Sequence, residues 1–150
     1  IFNKGGCNLS FAGLKTAILR IAKNIKTDQE KFDLAASFQK TIGEILYKKT
    51  KIAFDEFENQ NKLKEKVFVV AGGVAANNKI RSLLIDLCKE KNYKNIFPPI
   101  ELCSDNAAMI ALVGLEKFKL KKFNNLNCPA MPRWPLDEKA AFLKGAGVKF

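Results

Sequence analysis

Val67-Phe-Val-Val-Ala-Gly72-Gly73-Val-Ala-Ala-Asn77-Asn-Lys-Ile-Arg81 decides the fold class of this 150-residue chain. The apolar run Val67 to Ala71 has no polar alternation, which predicts a strand buried on both faces, as in a parallel sheet covered by helices. Gly72 and Gly73 permit a sharp turn and a close approach of backbone to a ligand. The helix that follows offers unpaired N–H groups and the positive end of its dipole, a setting that suits phosphate or ribose. A merely tight α/β connection has the same pattern. The spacing fits neither the GxGxxG of a dinucleotide fold nor the GxxxxGK[ST] of a P-loop.

Outward from this stretch, helix outweighs strand. Ser10 to Ile25 places Leu14, Ala17, Ile18, Ile21, Ala22 and Ile25 on one helical face, with Ser10 as its expected N-cap. Thr27-Asp28-Gln-Glu30 supplies a cap and an acidic first turn for a longer helix, whose stripe Phe32, Ala35, Ala36, Gln39, Ile42, Ile45, Leu46 runs on towards Lys49. The polar run Glu56 to Lys66 is expected to be a surface connection into the strand. Beyond the glycines, Ile80, Leu83, Leu84, Leu87 and Cys88 form the apolar face of a crossover helix. Asn95-Ile-Phe97 is a second short strand, stopped by Pro98-Pro99, and Ala107 to Phe118 is a strongly apolar helix that Ser104 or Asp105 would cap. The tail past Lys119, with Asn124-Asn125, Pro129, Pro132, Trp134 and Pro135, is expected to be extended and to wrap the surface. The simplest architecture is an α/β layer structure of a few parallel strands with helices between them.

Composition sets limits. With 47% hydrophobic residues the chain can bury a core. Its entry into patterned sequence at Ile1 leads us to expect a fragment of a larger protein. No apolar run approaches the roughly 18 residues of a membrane span, and no charged-then-apolar leader is visible, so a soluble chain is expected. Cys7, Cys88, Cys103 and Cys128 form no CxxC pair and there is no histidine, which argues against a zinc cluster, a haem site, or Ser-His-Asp or Cys-His catalysis within these residues. Reduced thiols in a cytoplasm fit that usage. The 26 basic against 15 acidic residues, a net charge of +11, favour a polyanion such as RNA, although lysine also serves merely to solubilise helix faces.

Two loops, Gly72–Asn77 and Cys103–Asn106, lie at carboxyl ends of the predicted strands and ahead of helix N-termini, the edge at which open α/β sheets bind ligands. Asn77 reads either as a ligand contact or as an N-cap. Asp105 could bind a cation, act as a base or cap its helix; alone it cannot make a tight metal site, and further ligands would have to come from outside these residues.

Four blocks in order along the chain, Ser10-Phe-Ala-Gly-Leu-Lys-Thr-Ala17, Val70-Ala-Gly-Gly-Val-Ala-Ala-Asn77, Phe97-Pro-Pro-Ile-Glu-Leu-Cys-Ser-Asp-Asn106 with Ala108-Met109-Ile110-Ala111, and Pro132-Arg-Trp-Pro-Leu-Asp137, together resemble the TsaD family of tRNA adenosine threonylcarbamoyltransferases, once misnamed glycoproteases. The resemblance implies an actin-like, sugar-kinase-like ATPase fold of two lobes with a cleft between them, of which this chain is the C-terminal portion. Residues 1–104 would belong to the second lobe, and 105–150 would form a buried helix and an extended tail returning towards the missing first lobe. It further implies transfer of the threonylcarbamoyl group from threonylcarbamoyl-adenylate to the exocyclic amine of the adenosine next to the anticodon, in tRNAs reading codons that begin with A. Asn77 would contact the adenylate, Gly72 and Gly73 would let it approach the backbone, and Asp105 would complete a site for one divalent metal ion, iron(II) or alternatively zinc, with two histidines. The implied partners are tRNA, the adenylate and the other subunits of the bacterial transfer complex, in the cytoplasm and with no membrane.

The family's HxxxH pair and upstream adenylate contacts are absent from these residues, so this chain alone is expected to be inactive. Two other functions compete. An inert paralogue of the same fold, acting as an assembly partner, has no physical need for an adenylate-contacting amide and a metal-binding carboxylate at facing strand ends. A sugar or acetate kinase shares the fold, but its distinguishing motifs are not evident.

Overall fold

The computed structural model describes residues 6–61, 64–127 and 130. In chain order these form α1 (Ala12–Ala22), α2 (Asp28–Gln60), β1 (Val67–Val69), a 3-10 turn (Gly73–Ala76), α3 (Asn78–Glu90), β2 (Lys94–Ile96), a second 3-10 turn (Ile100–Leu102) and α4 (Ala107–Lys119). The chain divides into two compact units, Ile1–Asp105 and Asn106–Phe150. The tail block Pro132 to Asp137, Pro129 and Cys128 lie outside the described residues.

In the first unit, β1 and β2 pair in parallel with Val67 opposite Lys94, Phe68 opposite Asn95 and Val69 opposite Ile96. Helix α3 is the crossover that a parallel pair requires. The ladder continues past β1, where Val70 N–H donates to Ile96 O at 3.1 Å. The strand was expected to be buried on both faces, and this is corrected: Val67 and Val69 are 45% and 59% exposed. Successive side chains of a strand alternate between faces, so Phe68 turns towards the helices while Val67, Val69 and Ile96 share a bare face.

The core beneath the covered face is Phe54 from α2, Leu87 and Cys88 from α3, and Tyr93 at the entry to β2, with Phe68 and Tyr47 packed against it. Phe54 and Tyr93 stack with ring centres 3.8 Å apart, and Phe68 meets Phe54 edge-on at 4.9 Å, an arrangement that suits the ring quadrupoles. The face expected for α3 is the one observed, with Ile80, Leu84, Leu87 and Cys88 buried and Leu83 half-buried. Outside this core, Glu90 at the end of α3 accepts from Tyr47 Oη at 2.6 Å and Lys51 Nζ at 2.7 Å, joining α2 to α3.

Helix α2 begins as its sequence dictates. Thr27 accepts from Glu30 N–H while the Glu30 carboxylate accepts from Thr27 N–H, a reciprocal capping box. Backbone N–H groups of Lys26 and Thr27 hold that carboxyl below the usual range. The helix runs on past Phe54, so Glu56 to Gln60 are helical and the expected connection starts only after them. Glu56, Asn59 and Gln60 are exposed, while Glu58 is half-buried and pairs with Lys66 at 2.9 Å; the run ends when Asn61 turns back to bond Phe57 O through its own N–H and side-chain amide. At the start of α1, Ser10 is not the cap: Phe11 holds that position and no side chain caps the helix.

In the second unit, α4 is capped by Asn106, whose Oδ1 accepts from Met109 N–H at 3.0 Å. This corrects the expectation of Ser104 or Asp105, because an N-cap oxygen serves the amides two and three positions on. Every described side chain of α4 is exposed, with Ile110 and Phe118 both at 66%.

Candidate functional site

The first strand-end loop turns at Gly72, whose φ of +92° is a conformation that side-chain-bearing residues rarely adopt. Gly73 has a different character. Its φ is not positive, and a Cβ built on it would meet nothing within 4 Å. Neither backbone conformation nor neighbouring atoms in this unit require glycine there, leaving an open approach to the backbone. The 3-10 turn Gly73–Ala76 separates the glycines from α3, so the sharp strand-to-helix passage expected from sequence is one turn longer than read.

Asn77 caps α3. Its Oδ1 accepts from Lys79 N–H at 3.0 Å and Ile80 N–H at 3.2 Å, while its Nδ2 donates to Gln39 Oε1 at 3.0 Å. The cap therefore uses the oxygen and leaves the amide NH₂ directed towards α2. Gln39 marks where α2 faces the loop, a polar residue inside the apolar stripe Phe38, Ile42, Leu46.

Those same elements, with Phe11 ahead of α1, line an open cavity of about 740 Å³, within the range of small-molecule sites. Its walls are mainly apolar, with Phe38, Ile42 and Leu46 from α2 and Val74 and Ile80 from the loop and α3; Gln39 and Asn77 are the polar groups. Two residues singled out in the sequence, Gly73 and Asn77, thus line one cavity together.

The second strand-end loop comes alongside the first, with the two 3-10 turns in contact. Arg81, in the first turn of α3, bridges them. Its Nε donates to Ala75 O, its Nη2 donates to Pro98 O at 2.6 Å and to Cys103 Sγ at 3.2 Å, and its guanidinium lies 5.1 Å from the centre of the Phe97 ring. The sequence assigns Arg81 no role of its own; its spacing of four from Asn77, which puts the two on one helix face, is the one signal it offers.

Asp105 ends this loop, is exposed, and makes no hydrogen bond or ion pair with any described residue. It does not line the cavity. No group of three or more His, Cys, Asp or Glu side chains able to hold a metal occurs among the described residues. A protein metal site ordinarily needs three or four ligands, so these residues by themselves do not fit one. Cys7, Cys88 and Cys103 are free thiols; burial pushes the Cys88 thiol up, leaving it a core residue rather than a nucleophile. Among the described residues, no helix is long and apolar enough to cross a membrane.

The sequence matches a family of known proteins. The family model described as TsaD, tRNA N6-adenosine threonylcarbamoyltransferase, matches residues 2–112. Proteins with that name in Pelagibacter ubique (strain HTCC1062) and Rickettsia rickettsii (strain Sheila Smith) are 72% and 47% identical over 149 and 141 residues, covering 99% and 92% of this chain. One from Zymomonas mobilis subsp. mobilis is 45% identical over 142 residues, or 95% of this chain. The chain spans 42%, 41% and 38% of the length of these three relatives. With nearly three quarters of its residues inside the family match and both strand-end loops within it, the chain belongs to the TsaD family.

Proposed function

We propose that this chain is the C-terminal portion of a tRNA threonylcarbamoyltransferase with an actin-like two-lobed fold, and that its two strand-end loops form one side of the transfer site. The observation that carries the reading is the cavity wall shared by Gly73 and Asn77, at a place where Gly73 is open to close approach. Its apolar surfaces, Ile42, Val74 and Ile80, suit the faces of a purine. The Asn77 amide, by exchanging Gln39 for a ligand oxygen, would orient the adenylate of threonylcarbamoyl-adenylate. In the reaction the adenosine N6 amine attacks the carbamoyl carbonyl carbon, the bond from that carbon to the phosphate oxygen breaks, AMP leaves and the nitrogen loses a proton. Fixed polar groups stabilise such a step because they need no reorientation as charge moves to the phosphate.

Asp105, with no partner among the described residues and no capping duty, is proposed as one ligand of a divalent metal ion, iron(II) or zinc, whose remaining ligands lie outside these residues. Such an ion would supply Lewis acidity and orientation to bound oxygens. The exposed apolar sides of α4 and of β1 and β2 are surfaces for the remainder of the fold to cover. The net charge of +11 supports tRNA as the polyanionic partner. Partner subunits of the transfer complex and a cytoplasmic location complete the reading.

The test is nucleoside mass spectrometry of unmodified tRNA incubated with the adenylate, the partner subunits and the full-length protein carrying this chain. Threonylcarbamoyladenosine is expected with the unaltered protein and not with Asp105→Asn, which keeps shape but loses the charge. Failure of the unaltered protein to form it refutes the proposal.

A further inference from the structure

We infer that Arg81 is a positioning residue for the transfer site proposed above: it locks the loop carrying Gly73 and Asn77 to the loop ending at Asp105, so that the two present their groups to one ligand. The inference rests on that reading for its catalytic part, and on geometry alone for its mechanical part.

The acceptors of Arg81 identify its work. Ala75 O belongs to the first loop, while Pro98 O and Cys103 Sγ belong to the second. Two are backbone carbonyls and the third is a thiol that itself reaches Pro99 O at 3.5 Å. No carboxylate pairs with Arg81 among the described residues, so the group is held by the directions of its N–H bonds rather than by an opposite charge. A guanidinium is planar with donors in a fixed fork, so one rigid side chain sets the distance and angle between two stretches of main chain. Hydrogen bonds from a charged donor are also about twice as strong as neutral ones. The Phe97 ring against the guanidinium adds a cation–π contact from the second loop. Lysine has one nitrogen on a flexible stem and cannot reach both loops in fixed directions.

The experiment uses the full-length protein with Arg81→Lys and Arg81→Gln, Lys preserving charge and much of the stem packing. Hydrogen exchange followed by mass spectrometry should show amide exchange rising in residues 73–77 and in 98–105 together. Loosening confined to one loop, or to neither, overturns the lock, and this result stands whether or not the protein proves to be a transferase. For the catalytic part, kcat should fall by about tenfold to a hundredfold, the scale of small misplacements of reacting groups, with a smaller change in KM for the adenylate. Arg81→Lys combined with Asn77→Ala should lose less than the product of the two single losses, because Arg81 acts partly through Asn77. Multiplicative losses, or a kcat for Arg81→Lys equal to that of the unaltered protein, overturn the positioning role.

Discussion

Asn77 is a helix cap by structure and a ligand contact by proposal, and two substitutions separate these roles. Asn77→Ala removes the oxygen serving Lys79 and Ile80 and the amide bonded to Gln39. Loss of the cap costs about 1 kcal/mol. The exposed amide bond adds about 0.5 kcal/mol. The sum, about 1.5 kcal/mol, lowers the melting temperature by a few degrees in a protein of this size or larger. Asn77→Asp keeps a capping oxygen, and its charge is favourable at a helix N-terminus, so its stability should stay within about 0.5 kcal/mol of the parent. It nevertheless loses the NH₂ donor and brings a negative charge near the proposed phosphate. AMP binding to the full-length protein should therefore weaken by about tenfold or more in Asn77→Asp, equivalent to about 1.4 kcal/mol. Isothermal calorimetry beside thermal unfolding makes the comparison. Unchanged AMP affinity in Asn77→Asp, with a destabilised Asn77→Ala, would leave the residue as a cap and refute the reasoning.

Gly72→Ala should destabilise the protein by more than about 1 kcal/mol in denaturant melts, because φ of +92° strains any side chain. Gly73→Ala should leave stability within about 0.5 kcal/mol, since its Cβ meets open space, while weakening AMP binding measured by calorimetry. The Glu90 carboxyl is held below the usual range by Lys51 first and by the Tyr47 hydroxyl second, so its stabilising effect is complete above the unfolded carboxylate pKa and is lost as pH falls through the lowered folded value. Glu90→Gln should accordingly reduce the acid-side slope of urea midpoints below about pH 5, and an unaltered slope would contradict the linkage. Binding of tRNA to the full-length protein should fall by orders of magnitude between about 50 and 200 mM salt if lysines contact several phosphates. A flat filter-binding series would remove the basic surface from the account.

The features legible in the sequence were those governed by local chemistry. Thr27 and Glu30 announced their capping box, the spacing of Ile80, Leu84, Leu87 and Cys88 announced the buried face of α3, and Gly72 announced a turn. Burial of β1 was over-read because an apolar run records what the whole sheet requires, whereas the described residues pair two strands and cover one face. The length of α2 was under-read for the opposite reason, since polar residues on a solvated helix leave no apolar stripe. Arg81 offered only its spacing from Asn77, because its acceptors, Ala75 O and Pro98 O, are main-chain atoms that carry no sequence signature. Gln39 was visible only as a polar interruption, and its meaning needed the position of Asn77 across the gap.

A crystal structure of the full-length protein with bound threonylcarbamoyl-adenylate, or with AMP in its place, would show whether the Gly73 and Asn77 cavity holds the nucleotide. The account predicts the purine in the cavity between α2 and the Gly73–Ala76 turn, the ligand in van der Waals contact with Gly73, and the Asn77 Nδ2 moved from Gln39 to a ligand oxygen. A nucleotide bound elsewhere, with Asn77 still donating to Gln39 and the cavity unfilled, would contradict it.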